Sequence, residues 1–160
     1  MAAVVVRHLS SQSAHSLEGI VGFAEVAVEI PAEKIADTHF HFVYGTNVVA
    51  AVILGQQLLR HQPGRLIAFG DFEPTAHLLP SGETFFMYPP VPETIAATVQ
   101  QVDSARDEDI VLDAFCFGSA PSEATETVLS AVSETGGLVV HVTPDDCDAT
   151  VRDYLQREWN

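Results

Sequence analysis

The chain has 160 residues, of which 47% are hydrophobic, and its 7 Lys and Arg against 22 Asp and Glu give a formal net charge of −15. That length suits a single domain, here 1–160, whose core needs no disulfides. The acidic balance argues against nucleic-acid binding, which needs clustered cations, and against docking on anionic lipid. No run approaches the roughly 18 apolar residues of a membrane helix. Two cysteines are typical of a reduced protein, so we expect a cytoplasmic location.

Strand-like and helix-like patterns alternate along the chain, which predicts an α/β sheet. The β-branched runs at 19–23 and 26–30 predict a hairpin. The further predicted elements, in chain order, are an extended segment at 40–44, a helix at 48–60 capped by Thr46 or Asn47, a strand at 65–69, a loop at 73–92 with its tip at 80–82, a helix at 92–102, a strand at 110–117, a helix opened by Pro121 after Ser119, a strand at 138–142 and a C-terminal helix after Asp145 and Asp146.

Three motifs follow one another with a regular order and spacing. They are YGTN at 44–47, GDFEPTAH at 70–77 and FFMYPP at 85–90, the last of them directly before a predicted helix. Together with the strand-like residues 20–24, they resemble the von Willebrand factor A (VWA) domain. The match is best to the bacterial group associated with AAA ATPases of the MoxR class, which commonly shows YGTN, DGEPTAH and an aromatic-Tyr-Pro-Pro segment. The resemblance covers roughly residues 17–117.

The resemblance implies a doubly wound, mostly parallel sheet with helices on both faces and a ligand site at the carboxyl ends of its strands. In the family this site holds a divalent cation, usually magnesium, and an acidic residue of a partner protein completes the coordination. Thr46 falls on the second-loop threonine of that site, and Asp71 falls on the third-loop aspartate. The implied function is therefore a non-enzymatic protein-interaction module.

The chain departs from the family in the first loop, because the Asp-x-Ser-x-Ser signature that supplies most of the cation ligands is absent. In one alignment, residues 2–13 are the first helix and the preceding strand is missing. In the other, residues 4–6 are the strand, Leu9 replaces the aspartate, residues 11–13 are a remnant of the serines and the following helix is deleted. Strand propensity favours the second alignment. The spacing to residues 22–23 matches the family without a gap only in the first alignment, and we therefore prefer a helix at residues 2–13. In either case the cation site is incomplete, and any magnesium binds weakly.

The predicted partner surface lies around the loops after the strands. Its residues are Phe72, which stands where the family usually has glycine, with Glu73, His77, Phe85, Phe86 and Tyr88. The partners that we consider are an AAA ATPase of the MoxR class and a chain that supplies a missing strand, since an unpaired strand position recruits strands. The same reasoning predicts self-association into a homo-oligomer.

Two alternative functions stay open at this point. One is a small metal-dependent hydrolase, since side chains two apart on a strand share a face and could hold zinc together. Its candidate ligands are Asp37, His39, His41 and His77, with Glu73 as a further candidate. The other is a structural component of a larger assembly, whose packing the acidic surface would tune.

Weaker catalytic hypotheses concern two residue pairs. Glu73 and His77 could form a general-base pair, although their place in the matched motif favours a structural role. Cys116 could be a nucleophile with His141 on a neighbouring strand. The apolar flanks of both residues favour a buried, unreactive thiol instead.

Overall fold

The computed structural model describes residues 2–8, 16–31, 34, 45–118, 120–143 and 145–158. Six of its strands form one sheet in the order β3-β2-β1-β4-β7-β8, and β5 pairs with β6 in a separate hairpin. The elements are β1 (Ala2–His8), β2 (Ser16–Phe23), β3 (Ala27–Ile30), α1 (Val48–Leu58), β4 (Gly64–Gly70), β5 (Ala76–Leu78), β6 (Thr84–Phe86), α2 (Pro92–Asp107), β7 (Ile110–Phe117), α3 (Glu123–Glu134), β8 (Val139–Val142) and α4 (Cys147–Glu158).

Helices cover both faces of the sheet, which confirms the predicted α/β fold class. The larger core cluster joins strand residues such as Leu66 and Leu112 to α1, α2 and α3 on one face. On the other face, Ile67 and Phe115 pack with Tyr154 of α4. Strands β4, β7 and β8 are parallel neighbours, and their apolar residues on both faces explain why they lie between helical layers.

The strand β1 corrects our preferred reading of the first residues as a helix. Residues 2–8 form a strand between β2 and β4, in the sheet position that we predicted to be missing. The β-branched residues at 4–6 therefore outweigh the register argument for a helix. Because that position is occupied, the hypothesis of a partner chain that supplies a strand, and of self-association through the gap, loses its structural reason.

The direction of β1 differs from that of its neighbours. It is antiparallel both to β2 and to β4, with Ala3 opposite Phe69 and His8 opposite Gly64. Only residues 9–15 join β1 to β2, and a parallel pair needs a crossover of about a dozen residues or more. The chain therefore leaves β1 at the sheet edge opposite to Asp71. The serine remnant at 11–13 lies outside the described residues.

Other predicted elements differ in detail. The hairpin of β2 and β3 is confirmed, and so is the Asn47 cap of α1, whose Oδ1 accepts from Ala50 N at 2.9 Å. The predicted loop at 73–92 contains the short β5–β6 hairpin, which the turn-rich composition concealed. Ser122, rather than a position near Ser119, caps α3. The extended segment at 40–44 lies outside the described residues, and the single-domain boundary 1–160 stays a prediction.

A buried carboxylate ties α4 to the sheet. Asp113 is fully buried, and its Oδ2 accepts from Arg65 Nη1 at 2.5 Å and from the Tyr154 hydroxyl. Its Oδ1 accepts from the backbone N of Leu138 at 2.7 Å, directly before β8. A buried charge is tolerated only when such partners satisfy it. This cluster therefore fixes β4, β7, β8 and α4 together.

We predict that Tyr154→Phe lowers the free energy of unfolding by about 1–3 kcal/mol, because it removes one donor from a buried carboxylate. Urea denaturation at neutral pH measures the change. Tyr88→Phe is the matched control, since its side chain is 71% exposed, and it should leave the midpoint unchanged. Equal midpoints for Tyr154→Phe and the wild type would contradict the assigned role.

Alkaline pH provides a second readout of the same hydroxyl. Burial, together with the hydrogen bond to Asp113, raises the pKa of Tyr154 above its ordinary value of 10.0. The unfolded chain therefore loses this proton first, so the stabilisation is present below about pH 10 and is lost as the pH rises further. The stability difference between the wild type and Tyr154→Phe should accordingly shrink above about pH 10.

Candidate functional site

Two loops meet at the carboxyl edge of the parallel strands. Asp71 directly follows β4, and Thr46 lies just before α1. The Thr46 hydroxyl donates to Asp71 Oδ1 at 3.1 Å. That same oxygen accepts from the backbone N of Glu73 at 3.2 Å. The structure thus brings together the two residues that the resemblance assigns to a cation site.

Hydrogen bonds to the backbone N and O of Thr46 hold its loop against the β5–β6 hairpin. Thr75 Oγ1 accepts from Thr46 N at 2.8 Å, and Thr46 O accepts from Ala76 N at 3.3 Å. On the other side, Thr75 O accepts from Met87 N at 2.9 Å. Thr75 therefore links the Thr46 loop directly to the segment that follows β6.

Glu73 connects the same edge to α3. Its Oε2 accepts from Ser122 Oγ and from Thr125 Oγ1, both at 2.8 Å. Ser122 also caps α3 by accepting from Thr125 N at 3.1 Å. Sequence reasoning missed Ser122 and Thr125, although hydroxyl residues at a helix start are a recognisable capping signal. Glu73 is half-buried, and its carboxylate links the loop after β4 to the start of α3.

Phe72 does not lie on the surface, although we included it among the partner-contacting residues. Its side chain is 1% exposed and belongs to the larger core cluster. Its backbone has a φ of 55°, a left-handed conformation that glycine adopts more readily. The chain therefore keeps the turn that follows Asp71 with a bulky residue, and the burial of the ring offsets the backbone cost.

His77 likewise points inward. Its side chain is 9% exposed, its Nδ1 lies 3.0 Å from Thr94 Oγ1 of α2, and its ring packs 5.1 Å from that of Phe85. The structure therefore places His77 between the β5–β6 hairpin and α2. It lies neither on a partner surface nor beside Glu73 as a general-base pair.

Two of the predicted surface residues, Phe86 and Tyr88, are exposed, and together with Met87 between them they form what we call the tip patch. In chain order, the three side chains are 40%, 43% and 71% exposed. Phe86 packs above Gly45, where an added Cβ would lie 2.9 Å from the ring. The tip patch thus adjoins the Thr46 loop and presents three large apolar side chains to solvent.

Among the described residues, no arrangement supports the zinc-hydrolase hypothesis or the Cys116–His141 nucleophile hypothesis. Within the described ranges, no group of three or more His, Cys, Asp and Glu side chains could hold a metal ion. Asp37, His39 and His41 lie outside these ranges. Cys116 is buried, its thiol donates to Asp71 O at 3.7 Å, and burial raises its pKa, which disfavours a nucleophilic thiolate. His141 is its register partner on β8, but its side chain is exposed.

Comparison with known proteins decides the family. The family model described as "Rv0959-like protein, vWA domain" matches residues 3–155. The chain belongs to this vWA family. The Rv0959-like vWA domain accordingly places Thr46 and Asp71 at the carboxyl edge that the resemblance implied. In the parts of the chain that the structure describes, none of the helices has the length and apolar character needed to span a bilayer.

Its curated relatives are mycobacterial proteins without an assigned function. The chain is 34% identical over 145 residues to the uncharacterized protein Rv0959 of Mycobacterium tuberculosis H37Rv and equally to the uncharacterized protein Mb0984 of Mycobacterium bovis. The match covers 86% of this chain but 21% of each relative. The chain thus spans about a fifth of the length of these relatives. No solved structure matches it significantly.

We predict an unusual order of stability for substitutions at Phe72. Phe72→Ala should cost about 3–5 kcal/mol through the lost core packing. Phe72→Gly loses the same packing but relieves the left-handed backbone by about 1 kcal/mol, so it should be no less stable than Phe72→Ala. Urea denaturation of both variants measures the order.

Phe115 provides the matched control, because it is fully buried in the strand β7. Here glycine has no backbone advantage, so Phe115→Gly should be less stable than Phe115→Ala by about 0.5–1 kcal/mol. If Phe72→Gly were likewise less stable than Phe72→Ala, the left-handed backbone at Phe72 would carry no energetic cost.

Proposed function

We propose that this vWA domain is a non-enzymatic protein-interaction module with an incomplete cation site, and that it acts in the cytoplasm. The observation that carries the proposal is the tip patch, which hydrogen bonds through Thr75 join to the Thr46 loop. Exposed apolar side chains beside a family ligand edge are typical of a protein-contact surface.

The direction of β1 supports the incompleteness of the cation site. In the family the first loop follows the first strand and supplies most ligands, but here the chain leaves β1 at the opposite edge. The carboxylate of Glu73 is already shared by two hydroxyl donors. Thr46 and Asp71 remain, and two oxygen ligands hold magnesium weakly because the ion dehydrates reluctantly.

We predict that titration calorimetry with magnesium or manganese shows no saturable binding at ion concentrations up to about 1 mM. The dissociation constant is then weaker than about 1 mM, which corresponds to a binding free energy no more favourable than about −4 kcal/mol. Asp71→Ala should therefore leave the calorimetric trace unchanged. The matched control is Asp107→Ala, which removes an exposed carboxylate at the far end of α2. Tight stoichiometric binding that Asp71→Ala abolishes and Asp107→Ala preserves would show that the site is complete.

The proposed partner is an AAA ATPase of the MoxR class, as the motif resemblance implies. Aromatic side chains dominate protein interfaces because a few of them contribute most of the binding energy. We therefore assign the contact to the tip patch and to the flanking Thr46–Asp71 edge. Phe85, which directly precedes the patch, is half-buried and packs its ring against that of His77.

We predict that Met87→Ala combined with Tyr88→Ala weakens binding to a purified MoxR-class ATPase from the same genome at least tenfold, or about 1.4 kcal/mol. Surface plasmon resonance measures the affinity. Leu155→Ala is the control, since this side chain is 37% exposed on α4, and it should bind like the wild type. Undiminished binding by the double variant would assign the contact to another surface.

A further inference from the structure

An open groove runs between α2 and α3. Its volume is ≈ 480 Å³, and it is wide open to solvent rather than enclosed. A small-molecule site buries most of its ligand, so this shape suits an elongated occupant instead. The lining residues are Pro92, Ile95, Ala96, Val99, Gln100 and Asp103 of α2 with Thr127 of α3. We call this surface the α2–α3 groove.

The N-terminal half of α2 presents apolar side chains to this groove, whereas Val102 and Ala105 of its C-terminal half are buried in the core. Thr94 and Thr98 are fully buried beneath the helix, and Thr98 Oγ1 donates to Thr94 O at 2.9 Å. Ile95 and Val99, one turn apart on the same face, stay partly exposed. In this half of the helix the buried positions are threonines, while Ile95 and Val99 are only partly buried and line the groove.

Carboxylates border the groove along α3. Glu123, Glu126 and Glu134 lie beside Val99 and Asp103. At one end, Arg106 Nη1 bridges the helices, 3.0 Å from Asp103 Oδ1 and 3.2 Å from Glu134 Oε2. At the other end, Glu123 and Glu126 are exposed. Among the described residues, the ion pairs of these two helices include neither of them.

We propose that the α2–α3 groove binds a cationic amphipathic helix of a partner protein. The apolar face of that helix covers Ile95 and Val99, and its Lys or Arg side chains meet Glu123 and Glu126. An amphipathic helix that lays its apolar face in a groove is a recurrent mode of recognition, and the acidic rim selects the sign of the partner's charge. The surface is separate from the tip patch, so the proposal does not depend on the function proposed above.

The test uses the full chain and a fluorescently labelled synthetic peptide of about four helical turns, with leucine on one face and lysine on the other. Fluorescence anisotropy measures the affinity. Glu123→Gln combined with Glu126→Gln should weaken binding about five- to tenfold at low salt, since two rim charges are removed. Ile95→Ser, which removes an apolar contact without changing the charge, should weaken it to a similar degree.

The charge-matched control combines Glu29→Gln on β3 with Asp153→Asn on α4. Both side chains are exposed and lie on other elements, and the net charge changes equally. This control should bind within about twofold of the wild type. An equal loss in both double variants would show that the peptide responds only to the overall charge, and the proposal would be wrong.

Two further measurements separate other occupants. A peptide with serine in place of every leucine should not bind measurably, and equal binding by it would contradict the apolar component. Light scattering reports whether a second copy of the chain covers the groove. A dimer that Ile95→Ser converts to a monomer would overturn the proposal in favour of self-association, whereas a monomer throughout supports it. Urea midpoints of each variant confirm that all of them remain folded.

Discussion

The direction of β1 is the constraint from which the character of the whole site follows. A connection as short as residues 9–15 forces β1 to run antiparallel to β2. The first strand therefore completes the sheet without delivering its following loop to the ligand edge. In the family the first strand ends at the ligand edge, whereas here β1 ends at the opposite edge of the sheet. The ligand edge keeps its shape from other interactions, and the surface around it is free to take a different role.

Those other interactions are hydrogen bonds between loops. Asp71 accepts from the Thr46 hydroxyl, Thr75 holds the backbone of Thr46, and Glu73 joins the start of α3 through two hydroxyl groups. A carboxylate that accepts hydrogen bonds from neutral donors can hold neighbouring loops together without a metal ion. The polar residues of the matched motif thus serve as structural links, and the tip patch beside them is the surface that we propose for partner contact.

Much of the fold could be predicted from the sequence, because the apolar runs and helix caps are local signals. The strands of the parallel region and the Asn47 cap belong to this class. The side-chain directions at the site could not be predicted. Phe72 directly follows the exposed Asp71, and His77 is a polar residue in a short strand, so only the packing of distant elements turns them inward. The antiparallel direction of β1 could have been inferred, because the segment 9–15 is too short to connect two parallel strands. The alignment with the family favoured a helix at residues 2–13 instead.

The Asp113 cluster has a consequence for the order in which the chain is made. Ile67 and Phe115 are shielded on their face of the sheet by Tyr154 of α4, which follows all six strands of the sheet in chain order. Domains emerge from the N-terminus, and exposed apolar surface in a partly made chain invites aggregation. Until α4 is made, Ile67 and Phe115 lack their contact with Tyr154, and the carboxylate of Asp113 lacks its phenolic donor. The Tyr154 side of the sheet can therefore be completed only after all of its strands have been synthesised.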